Sequence, residues 1–212
     1  KYKVVDLFVQ NEGEIAFLDI IKKYIECGQE VKRLTDEIQT LGNVFRIGKN
    51  GGIIKSPSLP RIADLDDIPS PYLMGFFDKF LSDSHNYLPM IQTNRGCPFS
   101  CTFCQEGMRY FTKVNKHSLE FVVKELDYIA ERVDPSVGLW ITDSNWAMYK
   151  EDVDIAKHIA KIQSRFQWPK GVISSTGKAN LKRIIEVGKI LNGAMFISNS
   201  VQSMNTDVLD TI

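Results

Sequence analysis

Three of the chain's four cysteines fall within eight residues, Cys97-Pro98-Phe99-Ser100-Cys101-Thr102-Phe103-Cys104, at the spacing C-x3-C-x2-C. Thiolates so spaced on a loop, rather than on a regular helix, can converge on one metal centre, and iron–sulfur clusters are held by cysteines at short intervals. A cubane cluster has four irons and this loop offers three thiols, so one iron stays open to a small molecule if no fourth ligand arrives. A structural zinc site needs four protein ligands, yet no His lies within ten residues of the trio; the nearest downstream is His117. A disulfide would suit a secreted chain but leaves one thiol over. A ferredoxin-type carrier normally supplies four cysteines. The remaining one, Cys27, falls in an expected helix with no companion and reads as an ordinary buried or half-buried thiol.

The run Thr93-Asn94-Arg95-Gly96-Cys97-Pro98-Phe99-Ser100-Cys101-Thr102-Phe103-Cys104 resembles the cluster loop of the radical S-adenosylmethionine (SAM) enzymes. More narrowly, it looks like the branch that carries an N-terminal cobalamin-binding domain. The resemblance implies a [4Fe-4S] cluster on Cys97, Cys101 and Cys104, with SAM chelating the fourth iron through its amino and carboxylate groups. It also implies the reaction: one electron cleaves SAM to a 5′-deoxyadenosyl radical, which takes hydrogen from a substrate. Phe103 stands where the family has an aromatic near the SAM adenine. Asp143 and Asn145, in Asp143-Ser144-Asn145-Trp146, match a short acidic sequence near the methionyl ammonium, where an acceptor is physically sensible. Gln202, in Ser200-Val201-Gln202-Ser203, matches a Val-Gln-Ser stretch near the ribose.

Plainer roles stand beside these. Phe103 can simply cover the cluster from water, and Asp143 can cap a turn. Ser174, Ser175 and Thr176 can hydrogen-bond the SAM carboxylate or ribose, but hydroxyls at strand ends are commonplace. Arg109, Tyr110, Lys113 and Lys116 read as a solvated face, with an anionic substrate or an electron donor such as flavodoxin or ferredoxin as the alternative. His85, His117 and His158 are isolated, so no side chain is assigned a catalytic acid–base role.

The 26 basic and 26 acidic residues cancel, and a chain of 212 residues with 43% hydrophobic and 25% charged side chains is ordinary globular material. That length allows one large domain or two small ones. No apolar run approaches a membrane span, and zero net charge gives no support for nucleic-acid binding. A metal-binding thiol loop without a secretory leader points to a reducing cytoplasm. The chain opens inside the apolar run Tyr2–Val9 and stops at Asp210-Thr211-Ile212, within an expected helix; it reads as a piece of a longer enzyme.

The elements that must position the loop come in two styles. Val4–Val9 reads as a buried strand, followed by an amphipathic helix with Ile15, Leu18, Ile21 and Ile25 inward and Gly28 as its stop. Glu12-Gly13-Glu14 matches part of a Gly-Glu-Gly-Glu sequence of the cobalamin branch, with Asn11 in place of the first Gly. The resemblance therefore implies that residues 1–40 are the C-terminal remnant of a cobalamin-binding domain; a simple strand–helix unit is the plainer reading. Residues 41–87 form a hairpin and linker: Val44–Ile47 and Ile53–Lys55 flank Asn50-Gly51, and Pro57, Pro60, Pro69 and Pro71 stiffen a connector that includes Asp64, Asp66 and Asp67.

From Leu88 strands and helices alternate. Strands are expected at Leu88–Thr93, Gly138–Thr142, Gly171–Ser175 and Gly193–Ser198. Ser118 caps the first helix, a second covers Asp152–Phe166, Asn180 opens a third, and Asn205 starts a last one. Repeated βα units imply a parallel sheet. The expected fold is α/β: residues 88–212 as the first half of a radical SAM core barrel, a partial (βα) TIM-type barrel, preceded by the linker and the cobalamin-domain tail. In such barrels chemistry gathers at the C-terminal strand ends, which puts the cysteine loop, Asp143–Trp146, Ser174–Thr176 and Ser198–Ser203 on one rim. The branch-level expectation is methyl transfer through cobalamin to an unactivated carbon of a small-molecule substrate. The rivals are a methylthiotransferase-like or other cobalamin-free radical SAM enzyme, and a non-enzymatic iron–sulfur electron-transfer module. The missing fourth protein ligand speaks against the last.

Overall fold

The computed structural model describes residues 5–82, 86–197 and 202–210 and divides between Ala63 and Asp64 into two units. In the first, β1 (Phe8–Val9) leads to α1 (Glu14–Glu26), α2 (Val31–Asp36), a 3-10 turn at Ile38–Thr40, β2 (Val44–Ile47) and β3 (Ile53–Lys55). The three strands form an antiparallel sheet in the order β1-β2-β3, with Phe8 opposite Phe45 and Arg46 opposite Ile54. The expected hairpin is present, and Gly51 supplies its positive φ of 80°. Gly28, at φ 69°, ends α1 as a left-handed residue should.

The inward face of α1 is not the expected one. Ile15, Leu18, Ile21 and Ile25 are exposed, while Ala16 is buried and Ile20 and Tyr24 pack on the cluster of Leu34, Ile38, Leu41 and Val44. Two apolar rows run along this helix, and the row spaced i, i+4, i+8 meets the rest of the unit. Glu12 is buried where its carboxylate accepts from Arg61 Nε at 2.9 Å and from the Ile62 amide at 2.7 Å.

The second unit begins with a 3-10 turn at Leu65–Asp67. It continues through α3 (Asp78–Leu81), β4 (Met90–Ile91), β5 (Asn94–Arg95), β6 (Asn115–Lys116), α4 (Leu119–Ala130), β7 (Leu139–Trp146), α5 (Lys150–Phe166), β8 (Val172–Thr176), α6 (Leu181–Ile190) and α7 (Thr206–Leu209). Strands β4, β7 and β8 form a parallel sheet in that order, with Ile91 beside Ile141 and Ile141 beside Ser174. Parallel neighbours need a crossover, and α4 and α5 lie within the two connections. Val122, Leu126, Ile129, Ile155 and Ile159 from these helices join Leu139, Ile141 and Val172 in one buried cluster. Each such side chain contributes roughly 1.5–3 kcal/mol by leaving water. The opposite face carries Met90, Trp140 and Ile173 side by side in register, all exposed.

Three boundaries differ from expectation. Only Met90–Ile91 of the Leu88–Thr93 run joins the sheet. The segment Asp143–Trp146, expected to follow the strand Gly138–Thr142 at its end, is itself part of β7, with an irregularity in its pairing between Ile141 and Trp146. In place of the fourth strand there is a single bridge between Val172 and Met195, and Ser198 lies outside the described residues. The helix starts hold: Ser118 Oγ accepts from the Phe121 amide at 3.1 Å, and Asn205 Oδ1 accepts from the Asp207 amide at 2.8 Å. The acidic connector has a mechanical role, because Asp66 accepts from the Ser118 amide at 3.1 Å and pairs with His117 Nδ1 at 2.9 Å. Among the described residues, no helix is long and apolar enough to cross a membrane.

Candidate metal centre

The cysteine loop leaves the C-terminal end of β4 and is pinched shut at its base. Asn94 pairs with Lys116 and Arg95 with Asn115 in a two-stranded antiparallel ladder, and the Cys97 amide donates to Phe111 O at 2.9 Å. Gly96 makes the turn at φ 122°; a Cβ there would lie 2.5 Å from Lys113 O and 2.8 Å from Phe111 O, so no side chain fits. Farther along, the Cys104 amide donates to Cys101 O at 3.1 Å, and the Gly107 amide to Cys104 O at 3.0 Å. Gly107 is also obligatory, since its Cβ would sit 2.3 Å from Cys101 O. Cys97 and Cys101 are buried and Cys104 is half-buried.

Side chains from the neighbouring strand ends reach into this loop. Asn145, buried on β7, donates from Nδ2 to Cys97 Sγ at 3.1 Å. Lys178, two residues beyond β8, donates from Nζ to Cys101 Sγ at 2.9 Å, and its ammonium lies 5.5 Å from the Phe103 ring centre and 5.9 Å from that of Phe99. Ser144 Oγ donates to Glu106 Oε1 at 2.8 Å. The donor chemistry suits an iron–sulfur cluster: three thiols on one loop, two of them met by N–H donors. Among the described residues, no three His, Cys, Asp or Glu side chains form a group that could hold a metal ion.

Asp143 stands at the root of the loop and is only 1% exposed. Its Oδ1 accepts from the Thr93 amide at 2.7 Å and the Asn94 amide at 3.2 Å; its Oδ2 accepts from Asn94 Nδ2 at 2.7 Å and from the Thr93 hydroxyl. Burial pushes this carboxyl up to about 6, and the Thr93 and Asn94 hydrogen bonds work the other way. Burial likewise pushes Asp152 up to about 7, although it accepts from the Tyr149 amide at 2.8 Å at the start of α5.

The rim predicted from the topology rule thus brings Cys97, Asn145, Ser144, Cys101 and the β8–α6 connection together, each joined to the cysteine loop by a hydrogen bond or by belonging to it. Asn145 is turned to a sulfur, and Asp143 to the backbone where β5 begins. Phe103 is 61% exposed. Ser174 is buried, with no hydrogen-bond partner for its Oγ among the described residues, while Ser175 is exposed. Gln202 is exposed, and residues 198–201 before it lie outside the described set. Of the cationic group after the cysteines, Lys116 is tied to Glu151 at 2.9 Å. Lys178, Glu106 and Gly107 are the residues that sequence reasoning missed. Lys178 had a usable signal, because it directly follows a strand end on the chemically active rim.

No protein-family model matches the chain. It is 28% identical over 220 residues to the cobalamin-dependent radical SAM methyltransferase TokK of Streptomyces tokunonensis, covering 100% of this chain and 31% of that protein. It is 27% identical over 221 residues to 2-(S-pantetheinyl)-carbapenam-3-carboxylate methyltransferase of Streptantibioticus cattleyicolor, again covering 100% of this chain and 31% of that one. This chain is similar along its whole length to a cobalamin-dependent radical SAM methyltransferase. The resemblance carried by the cysteine loop is therefore matched along the whole chain, and these relatives are enzymes. The chain spans about a third of their length. Its fold is shared with the apo form of the cobalamin-dependent SAM radical enzyme OxsB at a TM-score of 0.59 and 17% identity, over 96% of this chain and 29% of that one.

Proposed function

We propose that this chain is the cluster-bearing part of a cobalamin-dependent radical SAM methyltransferase. The observation that carries the reading is the C-x3-C-x2-C loop itself, springing from the C-terminal end of a parallel strand in a chain whose full length matches such enzymes. Cys97, Cys101 and Cys104 would hold a [4Fe-4S] cluster and leave one iron for SAM. When bound, the cluster supplies the electron that cleaves SAM to methionine and a 5′-deoxyadenosyl radical.

The chain's own residues orient and shield. Gly96 and the Asn94–Lys116 ladder fix the loop's entry, Asn145 and Lys178 address two sulfurs, and Phe103 offers an exposed ring beside them for a nucleobase. Ser174 and Ser175 offer hydroxyls at the end of β8, and Gln202 lies farther along the same rim in this reading. Asp143 serves SAM indirectly, by holding Thr93 and Asn94. Residues 88–212 are read as the first half of a TIM-type barrel, with residues 1–40 as the end of a cobalamin-binding domain and 41–87 as the link. Flavodoxin or ferredoxin would deliver the electron in a reducing cytoplasm, and a methyl group would pass through cobalamin to a carbon of a small molecule.

The test uses the longest natural form of the protein, reconstituted anaerobically with iron and sulfide and given dithionite and SAM. Formation of 5′-deoxyadenosine, lost when Cys97, Cys101 and Cys104 are all changed to Ala, is the expected result. A loaded protein that cleaves no SAM would overturn the reading.

A further inference from the structure

We propose that Lys178 and Asn145 are positioning residues that set how readily the cluster accepts an electron, by donating N–H···S hydrogen bonds to Cys101 and Cys97. The inference rests on the reading of the three thiols as cluster ligands. Its basis is geometric. Lys178 Nζ is 2.9 Å from Cys101 Sγ, and Asn145 Nδ2 is 3.1 Å from Cys97 Sγ. The two donors come from different strand ends, β8 and β7, so the sheet aims both at one loop. Neither contact is an accident of a crowded surface. Asn145 is buried with its amide nitrogen on a buried sulfur. Lys178 is an exposed lysine that, among the described residues, forms no salt bridge with any carboxylate; its ammonium donates to a thiol and lies near the Phe99 and Phe103 rings.

The consequence follows from charge. Reducing a thiolate-ligated cluster adds one electron to a centre that is already anionic on its sulfurs. A donor hydrogen, and more so a full positive charge, stabilises the reduced state over the oxidised one and raises the midpoint potential. The sulfur that the lysine meets is buried, so their interaction is screened less than one wholly in bulk water. Removing either donor makes the cluster harder to reduce. Lys178 has the larger effect because it brings charge as well as a hydrogen.

The experiment is an anaerobic redox titration of the loaded, full-length protein, followed by electron paramagnetic resonance of the reduced cluster and run without SAM. Omitting SAM separates this role from any contact between Lys178 and the cosubstrate. Lys178→Met is expected to shift the midpoint to more negative values, Lys178→Gln to shift it less, and Lys178→Arg to recover at least half of the Met shift. Asn145→Ala is expected to move it in the same direction. An unchanged potential in Lys178→Met, or a Lys178→Arg shift as large as that of Met, overturns the proposal. Should Asn145→Ala load no cluster, the Lys178 series decides, since that side chain lies on the surface. If even the unsubstituted protein loads no cluster, the cluster reading fails and takes this inference with it.

Discussion

Ser144 Oγ donates to Glu106 Oε1 at 2.8 Å, which fastens the far arm of the cysteine loop to the end of β7. A partly buried hydrogen bond of this kind is worth about 0.5–1.5 kcal/mol. Ser144→Ala is expected to lower global stability by about that amount in a denaturant titration. Hydrogen exchange should accelerate in residues 97–111 well before it does in α4 or α5. Uniform acceleration across the unit would show that the contact does not hold the loop locally.

Gly96 and Gly193 both have positive φ, 122° and 83°, but only Gly96 faces backbone oxygens within contact distance. Gly193→Ala is expected to cost about 1–2 kcal/mol, from the left-handed conformation alone. Gly96→Ala must also displace the chain at Phe111 and Lys113, so about 3 kcal/mol or more is expected, with loss of iron loading. Equal melting temperatures for the two variants would contradict the close approach.

Asp143 separates a scaffold role from a ligand role. Asp143→Ala removes the acceptor for four buried donor groups, and a loss of about 2–4 kcal/mol is expected in metal-free, SAM-free protein. Full stability of that variant, with weakened SAM binding as the only defect, would mean that the carboxylate is spared for the cosubstrate.

The raised Asp143 and Asp152 carboxyls give the stability a definite pH slope. Both hold their protons to about 6 and about 7 in the folded chain, against an ordinary value of 3.8. The folded state therefore binds more protons between those limits, so the contribution is whole below about pH 4 and is lost as pH climbs to 6 and 7. Thermal unfolding of the metal-free protein should show a falling melting temperature over that range, corresponding to a stability loss of up to about 3–4 kcal/mol for each carboxyl. Asp152→Asn, which keeps an acceptor for the Tyr149 amide, should flatten the upper part of the slope. An unchanged slope would assign the effect elsewhere.

The cysteines, the covered helices and the hairpin were legible because each announces itself locally, by spacing, by period or by a turn residue. The extension of β7 was not. Asp143-Ser144-Asn145 has the composition of a turn, yet each of its three side chains finds a partner far along the chain, in Thr93 and Asn94, Glu106 and Cys97. The Asn94–Lys116 ladder was invisible for a different reason, since strands of two residues carry no period. On α1 the sequence offers two apolar rows, and only packing against Leu34, Ile38 and Val44 selects the Ala16–Ile20–Tyr24 row. Lys178 fell between these cases: its place was readable, but its partner, the Cys101 sulfur, was not.

The two-rung ladder under the cysteine segment has a consequence for how such a centre can diversify. Because Asn94–Arg95 and Asn115–Lys116 are already held side by side, the stretch from 96 to 114 behaves as a plug-in cassette on a fixed socket. Lengthening or exchanging its distal portion adds little closure entropy, which grows only slowly with length, and leaves the register of β4 with β7 untouched. New surroundings for the thiols can thus be grafted in without rebuilding the sheet that presents them.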